Sequence, residues 1–166
     1  MNLHRILIHV AATFVVATSA AHGATRTLEP DSFAAVRARH AGQPFVVHIW
    51  GMTCAPCVKE LPQWGALLKA RPDLHLVVVQ VDASALPPAE KRLKDAGLAN
   101  AESWTVKQDP DEFMRASIDP QWTGDMPRTL LIGADGKIER IQGSADFARV
   151  RRWLATQGAA RKDGSK

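Results

Sequence analysis

The sequence predicts an α/β domain, with a central mixed β-sheet flanked by helices. Apolar runs at residues 45–50 and 74–81 indicate buried strands, and a segment of helical periodicity follows each run. This alternation favours parallel strands with helices on both faces of the sheet. Near the C-terminus, Asp135-Gly136 between two apolar runs predicts a β-hairpin, which adds antiparallel strands to the same sheet.

The first 23 residues have the order of a secretory signal peptide. His4 and Arg5 precede an apolar segment at residues 6–17, and small residues lead to Gly23. That segment is shorter than the roughly 20 residues that a membrane-spanning helix needs. We therefore predict a signal peptide over residues 1–23, a domain over residues 24–158 and a loose tail over residues 159–166. Retention of the first segment as an uncleaved anchor is the alternative.

The first half of the domain is expected to contain two helices and two strands. Asp31-Ser32 caps a helix that ends before Gly42 and Pro44. A second helix starts at Ala55 and is expected to kink near Pro62. In order, the predicted elements are a helix at 32–40, a strand at 45–50, a helix from 55 to about 70 and a strand at 74–81.

The second half follows the same reasoning. Pro87-Pro88 opens a helix that Gly97 closes. The remaining predicted elements are a short strand at 104–106, a short helix at 110–117, hairpin strands at 130–133 and 138–142, and a final helix at 145–157.

The charge balance favours no particular macromolecular partner. The 166 residues carry a formal net charge of +4. Basic residues do cluster after position 149, but a solvated helix face and tail explain them more simply than nucleic acid does. We expect no nucleic-acid binding.

Cys54 and Cys57 are the only cysteines, and they form a C-x-x-C motif directly after a predicted strand. A structural zinc site needs four ligands, so a single pair at this spacing suits reversible thiol–disulfide exchange. Cys54 sits where the strand ends and a helix begins, and there the free amides and the helix dipole stabilise a thiolate. Cys57 lies nearly one helical turn further and is shielded. We therefore expect Cys54 to attack and Cys57 to resolve.

The segment Cys54-Ala-Pro-Cys57-Val-Lys-Glu60-Leu-Pro62 resembles the active-site helix of the thioredoxin superfamily, in the form found in its exported TlpA/ResA-like branch. Trp50 stands four residues before the first cysteine, and Met126-Pro127 precedes the hairpin, as in that family. The resemblance extends over roughly residues 28–158. It implies a thioredoxin-like fold.

The resemblance also implies a substrate-binding surface around the motif. A cis Pro127 would face Cys54, and the backbone of Met126 would pair with an extended substrate segment. Trp50 and Thr53 complete the expected substrate-binding set; Thr53 replaces a tryptophan that many relatives carry. The alternative for Pro127 is an ordinary trans proline that opens an edge strand.

Two residues are expected to tune the cysteine pKa values. In ResA-like proteins a glutamate at the position of Glu60 influences cysteine ionisation, and the alternative is a solvated side chain beside Lys59. His48 occupies the position of a buried aspartate in thioredoxin. As a base it would accept the proton of Cys57; otherwise it is a core histidine bonded to backbone.

Together these features predict an exported thiol-disulfide oxidoreductase, periplasmic in a cell with two membranes, with no cofactor and no metal. The resemblance favours reduction of protein disulfides, with electrons from a membrane-bound donor and a link to cytochrome c or copper-site maturation. One alternative is a module that binds Cu(I) or a client, with Met52 and Met126 beside the cysteines. The other is a thiol oxidase.

Overall fold

The computed structural model describes residues 24–163, and the side chains of residues 24–157. The signal peptide predicted for residues 1–23 lies outside this range. Within it, none of the helices combines the length and apolarity that crossing a membrane requires. The elements are β1 Arg26–Thr27, α1 Ser32–Arg39, β2 Phe45–Trp50, α2 Ala55–Ala70, β3 His75–Gln80, α3 Leu86–Asp95, β4 Glu102–Thr105, α4 Glu112–Ile118, β5 Arg128–Ile132, β6 Ile138–Gln142 and α5 Phe147–Asp163.

The strands form one six-stranded mixed sheet in the order β1-β4-β3-β2-β5-β6. Strands β1, β4, β3 and β2 are parallel, and β5 pairs antiparallel with both β2 and β6. Every residue of β2 and β5 is buried. This explains why most of their residues are apolar, because a strand covered on both faces has no solvent side to alternate with.

Alternate residues of the central strands supply two separate cores, as the period of two in a strand requires. Val46 belongs to the core built with α2, α3 and α5, whereas its neighbour Val47 belongs to the core built with α1 and α4. Helices therefore cover both faces of the sheet. The predicted α/β fold, with a central mixed sheet flanked by helices, is confirmed.

Helix α2 carries the cysteine motif on its first turn, and one glycine lets it approach the end of α3. A Cβ atom built on Gly65 would lie 1.8 Å from the carbonyl oxygen of Ala96, so only glycine fits this contact. Pro62 lies within α2, which is a single helix from Ala55 to Ala70.

Besides shifts of one to two residues at the ends of several elements, two features lie outside the predicted elements. The edge strand β1 was not predicted; it has only two residues, both exposed, and it exists because Arg26 and Thr27 pair with Trp104 and Thr105 of β4. Helix α5 extends to Asp163, so helical backbone covers residues 159–163 of the expected tail.

Candidate active site

The two cysteines form a disulfide at the junction of β2 and α2. The Cys54–Cys57 bond has an S–S distance of 1.98 Å, and the Cα atoms are 5.2 Å apart. Cys54 has extended backbone and caps α2: its Sγ accepts a hydrogen bond from the amide of Cys57 at 3.3 Å. Pro56 lies in the first turn, where its missing amide costs no helical hydrogen bond. One amide of this first turn thus points at the Sγ of Cys54.

The two cysteines differ in their access to solvent. Cys54 is half-buried, whereas Cys57 is fully buried in the core between the sheet and α2. An approaching disulfide or thiolate can therefore reach Cys54 but not Cys57. This difference agrees with the expected order of attack by Cys54 and resolution by Cys57.

Thr53 is exposed beside Cys54 and is held by a carboxylate that sequence reasoning did not single out. The Thr53 amide and hydroxyl both donate to Oδ2 of Asp82, at 2.8 and 3.0 Å, and the Gln80 amide donates to Oδ1 at 3.0 Å. Burial opposes ionisation of Asp82, but these hydrogen bonds, with that from the Met52 amide, lower its pKa overall. The ionised Asp82 therefore fixes the loop that leads into the motif.

The Met126-Pro127 peptide bond is cis, as the resemblance implied. Arg128 pairs with Ile49, so Met126 and Pro127 continue β5 beyond the end of β2, toward the loop that carries Cys54. Met126 is half-buried and, like Cys54, packs against the core that contains Cys57. The structure thus brings the motif and the cis-proline loop to the same end of the sheet.

Trp50 does not occupy the position that a substrate contact requires. Its side chain is fully buried in the same core as Cys57. The predicted substrate-binding role of Trp50 is therefore corrected, because a completely enclosed indole offers no surface to a client protein. Trp50 instead packs beneath the motif.

Glu60 is buried, with 3% of its surface exposed, so the alternative of a solvated side chain is wrong. Its Oε2 accepts a hydrogen bond from the Ala145 amide at 2.9 Å, and its Oε1 accepts one from the Trp64 indole at 3.4 Å. Burial raises the pKa of Glu60, and its hydrogen bonds only partly offset that effect. Because Glu60 lies three residues after Cys57 on α2, both side chains occupy the same face of the helix.

His48 is fully buried on β2 and meets Glu60 from the opposite side. Its Nδ1 shares a hydrogen bond with the Thr129 hydroxyl at 3.3 Å, rather than with backbone. Its Nε2 lies 3.5 Å from Oε1 of Glu60 but has no hydrogen-bond partner among the described residues. Burial lowers the pKa of His48 to about 3. The ring is therefore neutral at neutral pH.

A second feature that sequence reasoning missed lies under the cis-proline loop. Arg128, directly after Pro127, is buried and forms an ion pair with the fully buried Asp119. An isolated arginine just before the predicted strand at 130–133 gives no sign of such a partner nine residues earlier. Only the folded loop brings the two together.

No metal centre accompanies these residues in the described part of the chain. Among residues 24–163, no group of three or more histidine, cysteine, aspartate or glutamate side chains is placed to hold a metal ion.

Comparison with known proteins shows what this chain resembles in sequence. No protein-family model matches the chain. The chain is 25% identical over 114 residues to sporulation thiol-disulfide oxidoreductase A of Bacillus subtilis, a match that spans 68% of this chain and 67% of that protein.

Solved structures show the same fold. A secreted Mycobacterium tuberculosis disulfide oxidoreductase, homologous to E. coli DsbE, has a TM-score of 0.56 and 19% identity over 72% of this chain and 85% of its own. StoA from Bacillus subtilis has a TM-score of 0.52 and 24% identity over 69% of this chain and 84% of its own. The chain therefore has the predicted thioredoxin-like fold, carries a C-x-x-C disulfide at the start of α2, and is similar to thiol-disulfide oxidoreductases.

Proposed function

We propose that this protein is an exported reductase of protein disulfides, in which Cys54 attacks and Cys57 resolves. The difference in burial between the two sulfurs carries this proposal. Cys54 is half-buried and accepts a backbone amide at the start of α2, whereas Cys57 is enclosed in the core. A stabilised, reachable thiolate is the form that attacks a disulfide.

The reaction transfers two electrons from the protein to its client. The Cys54 thiolate attacks one client sulfur, forms a mixed disulfide and releases the other client sulfur as a thiolate. Cys57 then loses its proton and attacks Sγ of Cys54, which forms the Cys54–Cys57 disulfide and releases the second client thiolate. The client gains two electrons and takes up two protons, and the protein dithiol is oxidised.

Glu60 is the proposed acceptor for the proton that Cys57 loses. It lies on the same face of α2 as Cys57, and burial raises its pKa, which brings the carboxyl closer to the pKa of a thiol. His48 lies 3.5 Å from this carboxyl as a neutral ring. In this proposal His48 sets the surroundings of Glu60 and carries no charge itself.

The proposed location is the periplasm or another exported compartment, after removal of residues 1–23. The secreted Mycobacterium tuberculosis relative supports export. The oxidised protein then needs a new supply of electrons, for which we propose a membrane-bound donor. Cysteines of apocytochrome c or of a copper site are the proposed clients, on the basis of the resemblance to the TlpA/ResA-like branch.

The reduction potential of the Cys54–Cys57 pair tests the direction of the reaction. A value of about −270 mV supports a reductant, and a value of about −120 mV means that the protein is an oxidant. In parallel, reduced Cys57→Ala protein mixed with a disulfide-bonded client should accumulate a mixed disulfide on Cys54. Absence of that adduct contradicts the assigned order of attack.

Cu(I) binding is the second candidate, because Met52, Met126 and Cys54 all pack against the core that contains Cys57. Thioether and thiolate sulfur are ligands that Cu(I) prefers. Anaerobic titration of the reduced protein with Cu(I) separates the two candidates. Tight one-to-one binding with negligible disulfide reduction would support the binding module.

A further inference from the structure

A buried ion-pair network lies beneath the loop that carries the cis proline. Asp119 is fully buried at the end of α4, and Arg128 is 4% exposed at the start of β5. Arg128 donates from Nε and Nη2 to Oδ2 of Asp119, at 2.9 and 2.8 Å. Arg140 of β6 donates from Nε to Oδ1 of the same carboxylate at 3.0 Å. We call Asp119, Arg128 and Arg140 the loop clamp.

The loop clamp also bonds to the loop that it spans, residues 120–127. Nη2 of Arg128 donates to the carbonyl of Gln121 at 3.2 Å, and Nη1 lies 3.4 Å from the Asp125 carboxylate. The indole of the buried Trp122 donates to the Asp125 carbonyl at 2.8 Å. Side chains therefore determine the shape of this loop, in which neither a helix nor a strand orders the backbone.

In this arrangement the backbone of Met126 is available for hydrogen bonds with a partner. Among residues 24–163, no hydrogen bond involves the backbone N–H or C=O of Met126. Its neighbour Pro127 is anchored, since the Pro127 carbonyl accepts from the Gly143 amide at 2.9 Å. A half-buried backbone segment with free polar groups, held beside the reactive disulfide, suits strand pairing with an extended chain.

We propose that the loop clamp is the positioning device for client binding: the Asp119–Arg128 pair holds the Met126 backbone in the register at which a client disulfide meets Cys54. This inference rests on the proposed function. Arg128 and Asp119 are positioning residues, because they act on the client only through the loop. The Asp119 carboxylate is suited to this role: burial opposes its ionisation, but the bonds from Arg128, the Gln121 amide and Arg140 lower its pKa overall.

The test compares two disulfides as substrates. A polypeptide disulfide can pair with the loop, whereas oxidised glutathione is too small to do so. Reduced wild-type protein and Arg128→Lys are mixed with an unfolded polypeptide that carries one disulfide and, separately, with oxidised glutathione. Lysine keeps the charge but loses the two-nitrogen contact with Asp119. We expect the rate constant for the polypeptide to fall by about 10-fold to 100-fold, the range that a small misplacement of reacting groups produces. The rate constant for glutathione should change by less than about twofold, and the reduction potential should stay unchanged.

The matched control is Arg149→Lys, which alters an exposed arginine paired with Glu139 outside the loop clamp. It should leave both rates unchanged. If Arg128→Lys lowers the rate constants for the polypeptide and for oxidised glutathione equally, or lowers neither, the inference is overturned. If Arg128→Lys does not fold, the isosteric Asp119→Asn is measured in the same way.

Hydrogen exchange separates failure of the clamp from failure of the proposed function. In the oxidised protein, Arg128→Lys should accelerate amide exchange over residues 121–126 by about tenfold or more, since local opening governs exchange. Unchanged exchange overturns the clamp even if the protein is a reductase. If the wild-type protein reduces neither oxidant, the proposed function fails, and exchange still decides whether the clamp orders the loop.

Discussion

Acidification should destabilise this protein through His48, before most of its carboxylates begin to titrate. The ring is fully buried, and burial lowers its pKa to about 3, against 6.5 for an exposed histidine. Its Nε2 lies 3.5 Å from Oε1 of Glu60 without forming a hydrogen bond, and the cause of the lowered pKa is desolvation of the ring. Burial therefore decides the protonation state of His48.

The direction of this pH effect on stability depends on whether the folded or the unfolded state binds the proton. Below pH 6.5 the unfolded chain protonates His48, whereas the folded protein keeps it neutral down to about pH 3. The unfolded state then binds more protons, so stability falls as the pH falls. Each pH unit in this window is worth about 1.4 kcal/mol, so lowering the pH to 4.5 costs about 3 kcal/mol.

Glu60 is the ionisable group that faces His48, and it acts in the opposite direction. Its pKa is raised in the folded state, so its contribution to stability grows as the pH falls toward 4.5. The pKa values of Asp82 and Asp119 are lowered, and these groups lose their contribution as the pH falls below the unfolded value of 3.8. A comparison of variants is therefore needed to isolate the histidine.

Urea unfolding of oxidised wild-type protein and His48→Gln between pH 4.5 and 7.5 provides that comparison. Lost packing in the variant lowers its free energy of unfolding by the same amount at every pH. The variant also lacks the titration of His48. The wild-type free energy of unfolding should fall by about 3 kcal/mol more than that of the variant over this range. Parallel curves refute the reasoning. A wild-type protein that resists acid better than the variant shows instead that protonated His48 pairs with Glu60.

Three further predictions address the site and the core. Cys54→Ser should abolish disulfide reduction, whereas Cys57→Ser should still form a mixed disulfide but release it slowly; mass spectrometry of the trapped adduct distinguishes them. Glu60→Gln should slow resolution by about 10²-fold or more, because the Cys57 proton loses its acceptor, and should flatten the pH dependence of that step; an unchanged rate returns Glu60 to a structural role. Gly65→Ala should lower the free energy of unfolding by about 3 kcal/mol, because its Cβ would lie 1.8 Å from the Ala96 carbonyl oxygen; urea unfolding within about 0.5 kcal/mol of wild type contradicts this contact.

Local patterns located most of the elements. The strand predicted at residues 45–50 and the hairpin strand at 138–142 match β2 and β6, since apolar runs between proline, glycine and turn residues leave little choice of boundary. The two-residue β1 was missed, because an edge strand of this length exists only through its pairing with β4. Helix α5 continues beyond the predicted end, where the apolar periodicity stops but the backbone remains helical.

The sequence by itself determined that the two cysteines can form a disulfide at the start of a helix, because the C-x-x-C spacing keeps both thiols within bonding distance through local geometry alone. Burial and long-range pairing were decided only by the tertiary structure. Glu60 lies in the core and not beside solvent, and Trp50 lies beneath the site and not on its surface. Asp119 and Arg128 meet under the cis-proline loop, although nine residues separate them. No local pattern contains these facts, because desolvation and ion pairing depend on which distant segments the completed fold brings together.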